Sequence, residues 1–119
     1  MVTGATTRIS TDSAGLQGNN GSTTSVLSPD GTKILFVSRA DNLVPGDTNF
    51  ASDVFIKDLL TGALQRVSTD SAGLQGGNGS DLPRFSPDGT KITFTSLANN
   101  LAPNDSNFNS DVFVKDLTT

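Results

Sequence analysis

Asp47, Asn49 and Asp53 stand at i, i+2 and i+6 in one polar stretch, and Asp105, Asn107 and Asp111 repeat that spacing further along the chain. Oxygen donors at such intervals can wrap a hard cation, so Ca2+ is the one cofactor the spacing suggests. The match to a calcium loop is partial: Phe50 and Phe108 follow the Asn where a sharp bend wants glycine, and no Glu stands ready to bind in bidentate fashion. The same Asp and Asn also suit a simpler role, capping turns by bonding their own backbone, with Phe50 and Phe108 tucked between sheets. That second reading requires no cofactor.

Other chemistry is narrowed by what is missing. The chain contains neither His nor Cys, which removes Ser-His and Cys-His nucleophile pairs, disulfides and nearly every zinc site. Asp12 and Asp70, in the segment STDSAGLQG, read as Asx-turn formers followed by a glycine at positive φ, with Leu16 and Leu74 packing on the sheet below. Asp30 and Asp88 read as turn residues, and Asp58 and Asp116, beside Lys57 and Lys115, as members of ion pairs at the surface or between sheets. Glycosidase-like catalysis would need two carboxylates in different environments. Each acidic residue of the long loops instead recurs in the second half or becomes Asn, as Asp41 does at Asn99. The expectation is a protein without catalytic activity.

The 12 acidic and 8 basic residues leave a net charge of -4, and the basic ones are scattered. Nothing there would neutralise successive phosphates, so nucleic acid is not an expected partner. No apolar run approaches 18 residues and no signal peptide is legible, so a membrane is not expected either.

The elements that carry these residues come in duplicate. RISTDSAGLQG, residues 8–18, returns as RVSTDSAGLQG, residues 66–76, and the offset of 58 then continues without a gap. Within one unit four strands are expected, each bounded by turn-formers: near 23–28, 33–38 (KILFVS), 53–59 (DVFIKDL) and 64–68. Ser28-Pro29-Asp30-Gly31-Thr32 makes the first tight turn, with Pro fixing one φ and Gly supplying a positive one. The second strand is apolar on both faces, as a sheet stacked on both sides requires. The fold class expected is therefore all-β, built of four-stranded antiparallel meanders. A fixed period favours β-propeller blades over a β-sandwich.

The phase of the repeat adds to this. Residues 3–10 align with 61–68, the turn and fourth strand of a unit. The division expected is a fourth strand in 1–10 that completes a neighbouring chain's blade, a first blade in 11–68, and a second in 69–119 with three strands of its own. Such head-to-tail contacts close into rings when the rotation allows. With two blades per chain, the partner is the same protein, as a homotrimer of six blades or a homotetramer of eight. The long loops, 40–52, 69–80, 97–110 and 11–22, share one rim of such a disc, and the SPDGT and LTG turns share the other.

SPDGTKILFVS and FSPDGTKITFTS, followed by DVFIKDLLTG and DVFVKDLTT, resemble the WD-like propeller repeat of TolB-type proteins over both units. Asn42-Leu43-Val44-Pro45-Gly46-Asp47-Thr48-Asn49 and Asn100 to Asn107 resemble the subgroup with N-L-x-P-x-D-x-N in its long loop. The resemblance implies a propeller, an extracytoplasmic (periplasmic or secreted) setting, and binding or assembly rather than catalysis. Two blades, and units so alike, depart from the many diverged blades of natural relatives and are what a duplicated or engineered fragment would have. The functional expectation is a self-assembling structural scaffold. The alternative is a binding module whose long-loop rim holds calcium or a polar ligand such as a glycan or peptide.

Overall fold

A computed structural model of the chain describes residues 4–107 and 109–118. These residues form seven strands and no helix: β1 Ser22–Leu27, β2 Lys33–Ser38, β3 Asp53–Asp58, β4 Leu64–Arg66, β5 Ser80–Phe85, β6 Lys91–Ser96 and β7 Asp111–Asp116. They make two antiparallel sheets, β1-β2-β3-β4 and β5-β6-β7, each with neighbours in chain order. The parts of the expected strand over 1–10 that fall on residues 1–3 lie outside the described residues, and residues 4–10 are not part of any strand.

The two sheets repeat each other pair by pair. Phe36 faces Phe55 as Phe94 faces Phe113, and Ile34 faces Lys57 as Ile92 faces Lys115. Even the irregularity is copied: the ladder shifts between Thr23 and Val26 and again between Asp81 and Arg84. Thr24 and Leu82, at those bulges, take φ of 52° and 53°. A β-bulge bends its strand and sharpens the twist.

β4 is shorter than the expected 64–68 for a local reason. The amide of Val67 still donates to the carbonyl of Val54 at 2.8 Å, but the amide of Val54 is taken by Ser68 Oγ at 3.1 Å. The side chain of Ser68 thus replaces the backbone partner that would have continued the ladder.

Alternation along β2 and β3 gives the first sheet two apolar faces. Leu35, Val37 and Val54, with Val67, pack against Ile92, Phe94, Ala98 and Leu101 of the second unit to form the principal core. The opposite face, Phe36 and Phe55 with Ala40 and Leu43, is covered by Ile9, Val44 and Leu64. Removing each large core side chain from water contributes roughly 1.5–3 kcal/mol, which is what holds the sheets face to face. Among the described residues the far side of the second sheet has no such cover, and Val112 and Val114 there are 73% and 65% exposed. Their counterparts in the first sheet, Val54 and Ile56, are buried or half-buried.

Candidate functional site

The long loop after β2 is fixed at its start by Asn42. Its side-chain amide donates to the carbonyl of Gln17 at 3.0 Å, and its oxygen accepts from the amide of Asn19 at 2.9 Å. Asn100 grips Gln75 and Gly77 in the same way, at 2.9 and 2.8 Å. Leu43 and Leu101 then plug the loop into the core. Gly18 passes so close that a Cβ there would sit 3.1 Å from that of Ala40.

That anchoring carries Asp47 and Asn49 back over the end of the sheet, where they meet Asp53 at the start of β3. Between the carboxylates lies Arg66, the last residue of β4. Its Nη2 is 3.4 Å from Asp47 Oδ2 and its Nε 3.7 Å from Asp53 Oδ2. The Arg66 side chain is only 9% exposed and both carboxylates are essentially sealed. Asn49 Nδ2 donates to Asp53 Oδ1 at 3.0 Å and to the carbonyl of Gly76 at 2.9 Å, and Ser68 Oγ donates to Asp53 Oδ1 at 3.1 Å. The guanidinium itself is held by charge rather than by well-formed hydrogen bonds, since Nε, Nη2 and Asp47 Oδ2 have no hydrogen-bond partner.

Burial dominates the electrostatics. It pushes the pKa of Asp53 up to about 6, against the lowering pull of the Asn49 amide, Arg66 and Ser68. Asp47 is raised for the same first reason, with Arg66 opposing. Desolvation penalises the charged form more than an imperfectly bonded cation favours it.

Asp47, Asn49 and Asp53 are therefore brought together, and the positive charge at their centre is a side chain of the same sheet. Asp105, Asn107 and Asp111 line an equivalent cleft with Asn104, Ser106 and Phe113. Asn107 Nδ2 again donates to Asp111 Oδ1, at 3.2 Å. No basic side chain lies within ion-pair distance of Asp105 or Asp111 among the described residues.

Other expectations have mixed outcomes. Asp12 Oδ1 accepts from the amides of Ala14 and Leu16, Asp70 does the same for Ala72 and Leu74, and Gly15 and Gly73 take φ of 91° and 85°. Asp30 and Asp88 close their turns through Thr32 and Thr90. Leu16 and Leu74, however, are exposed rather than packed on a sheet, because the Asx turn points them outward. Phe50 is 89% exposed and has φ of 55°, so it does not tuck between sheets in this chain; Phe108 lies outside the described residues.

Asp58 and Asp116 form the expected surface ion pairs, with lysines across the ladder, because the adjacent Lys57 and Lys115 point to the opposite face of the strand. Asp58 faces Lys33 at 3.9 Å, and Asp116 faces Lys91 at 3.5 Å. Lys57 is buried and its ammonium donates to the hydroxyl of Thr11 and to the carbonyls of Thr11 and Ile9, at 3.1 and 3.3 Å. Lys115 likewise holds Thr69 Oγ1 and the carbonyl of Asp70, both at 2.7 Å. Each lysine thereby fastens the connector that leads into its own unit.

The roles of Arg66 and Lys57 in holding this arrangement are what sequence reasoning missed. A basic residue directly after the apolar run Val54-Phe55-Ile56 was the available signal for Lys57; Arg8 and Arg66 opening both copies of the repeat was the signal for Arg66.

A last feature lies beside β7. In the first sheet Leu64 of β4 packs on the Phe36, Leu43 and Phe55 cluster while its amide donates to Ser13 Oγ at 3.2 Å. The equivalent place on the second sheet is an open groove lined by Asp70, Ser71, Phe94, Leu101, Phe113 and Lys115. No family model matches this chain, and no curated protein matches it either.

Proposed function

We propose that the chain is a self-assembling unit of a β-propeller, two blades per copy, that closes head to tail into a homo-oligomeric ring and serves as a structural scaffold. The observation that carries this is the open groove beside β7 together with the uncovered face of Val112 and Val114. Within the chain, that same surface on the first sheet is covered by β4 and by the second sheet. A further copy presents the matching parts: half-buried Ile34 on the Phe36 face, the counterpart of Ile92, and exposed Arg8 with half-buried Ile9, the counterparts of Arg66 and Val67. Contacts of this kind are heterologous and generate rings when the rotation closes, as three copies or four would allow.

Covering β7 would also remove an exposed strand edge, which otherwise invites uncontrolled pairing. Thr93 and Thr95, where the first unit has Leu35 and Val37, make the face between copies more polar than the one inside the chain. That difference keeps the separate chain soluble before it finds a partner. The sequence resemblance to TolB-type repeats points the same way.

Deleting residues 1–10 tests the reading. The shortened chain should keep its sheet content by circular dichroism yet run as a smaller species than the full chain. Assembly that is unchanged by the deletion would contradict the strand exchange.

A further inference from the structure

We infer that Asp105 and Asp111 are half of a guanidinium site whose other half is Arg8 of a second copy of the chain, so that a buried ion pair between copies locks the ring. The inference rests on the ring proposed above and deepens it.

The first unit supplies the template. Arg66 is nine-tenths buried and directed at Asp47 and Asp53, although its Nε and Nη2 have no hydrogen-bond partner. What places it there is strand register: Arg66 pairs with Phe55 across β3 and β4. At the repeat offset, Phe55 becomes Phe113, Asp47 becomes Asp105, Asp53 becomes Asp111, and Arg66 becomes Arg8. The flanking groups transfer as well. Ser68, which donates to Asp53, corresponds to Ser10, and Gly76, whose carbonyl accepts from Asn49, corresponds to Gly18.

On the second unit the acceptor half is already shaped. Asn107 is bonded to Asp111, and Asp105 and Asp111 face the same cleft with no basic side chain in ion-pair range among the described residues. On the first unit the donor half is exposed: Arg8 Nη1 donates to Gln17 Oε1 at 2.8 Å, and among the described residues no carboxylate lies within ion-pair distance of it. Its own chain does not bring it to either carboxylate. Lys57 meanwhile holds Ile9 and Thr11 in the geometry that Val67 and Thr69 take between the two sheets, with Thr11 bonded to Ile9 as Thr69 is to Val67. Arg8 immediately precedes that pinned segment and is itself exposed.

Acidic side chains in a cleft could take a calcium ion instead, and the experiment separates the two. Dissociation of the ring of the full 119-residue chain would be followed by analytical ultracentrifugation for the wild type, Arg8→Gln, Arg8→Lys, the double variant Asp105→Asn with Asp111→Asn, and the triple combination, each with calcium or with chelator. Removing one partner of a desolvated pair between chains should weaken association roughly thirtyfold or more per interface. Arg8→Lys should recover part of that loss. The triple variant should be no weaker than Arg8→Gln alone, because the carboxylates no longer lack a partner. Arg8 is exposed, so circular dichroism of the dilute variants should match the wild type.

A ring that dissociates equally with Arg or Gln at position 8 would overturn the trans pair while leaving the ring itself standing. A wild-type ring that tightens with calcium and loosens with chelator would assign the carboxylates to the metal and also overturn it. A wild type that remains monomeric at every concentration would overturn both the pair and the ring.

Discussion

Arg66 Nε lies 3.7 Å from Asp53 Oδ2, inside a sheet end where neither side chain has appreciable contact with solvent. The contact joins the last residue of β4 to the first of β3, so one charge pair fixes both the end of the fourth strand and the return of the long loop. Asp47 reaches the same guanidinium from the loop itself.

Replacing Arg66 with Met should therefore cost about 3 kcal/mol or more, since it strands two buried carboxylates. Adding Asp47→Asn and Asp53→Asn to that variant should recover much of the loss. Urea denaturation followed by circular dichroism measures both, the chain having neither Trp nor Tyr. Equal stability of Arg66→Met and wild type would mean that the carboxylates are solvated or neutral.

Two groups of carboxylates should give opposite pH dependences. Asp53, raised to about 6 in the fold against an ordinary 3.8, binds its proton more tightly folded than unfolded. Its contribution is fully present below about 3.8 and is lost as the pH rises through about 6. Asp30 and Asp88 are lowered to about 2, chiefly by the amides of Thr32 and Thr90. Their contribution is present above 3.8 and disappears as the pH falls toward 2. Denaturation midpoints across pH 2 to 7 should thus rise from the acid end and decline above pH 4, and Asp53→Asn should flatten the decline alone. A decline unaffected by Asp53→Asn would place its origin elsewhere.

Lys57→Met should cost about 1–3 kcal/mol, because the carbonyls of Ile9 and Thr11 lose a donor in a region with little water. The same change should free residues 9–12, seen as faster amide hydrogen exchange at Thr11, whose amide bonds to Ile9. Unchanged exchange there would show that the connector is held by something other than the ammonium.

Thr24 takes φ of 52°, a conformation that a β-branched residue adopts at a cost of roughly 1–2 kcal/mol. It is exposed, so Thr24→Gly removes the strain without emptying a core site. Allowing for the extra freedom of glycine in the unfolded chain, stability should rise by about 0.5–1 kcal/mol. A fall in the denaturation midpoint would contradict the bulge geometry.

The strands were legible because their signals are local: SPDG turns, short apolar runs, and alternation that fixes which face each residue takes. Ile34 and Phe36 could be put on one face, and Leu35 and Val37 on the other, by counting in twos. The site was less so. Asp47, Asn49 and Asp53 declare oxygen ligands by spacing, but what sits among them depends on Arg66, which reaches them only through pairing of β3 with β4. The exposed positions of Phe50 and Leu16 were hidden for a related reason. A single residue at positive φ, or a side-chain oxygen that closes an Asx turn, redirects the next apolar group, and hydrophobicity alone does not show the direction.

The mass of the full chain in solution tests the central claim most directly. Native mass spectrometry at micromolar concentration should give a closed species of three or four times the 12.3 kDa chain mass, with no ladder of larger forms. A well-folded species at the mass of one chain, persisting as the concentration rises, would contradict the ring.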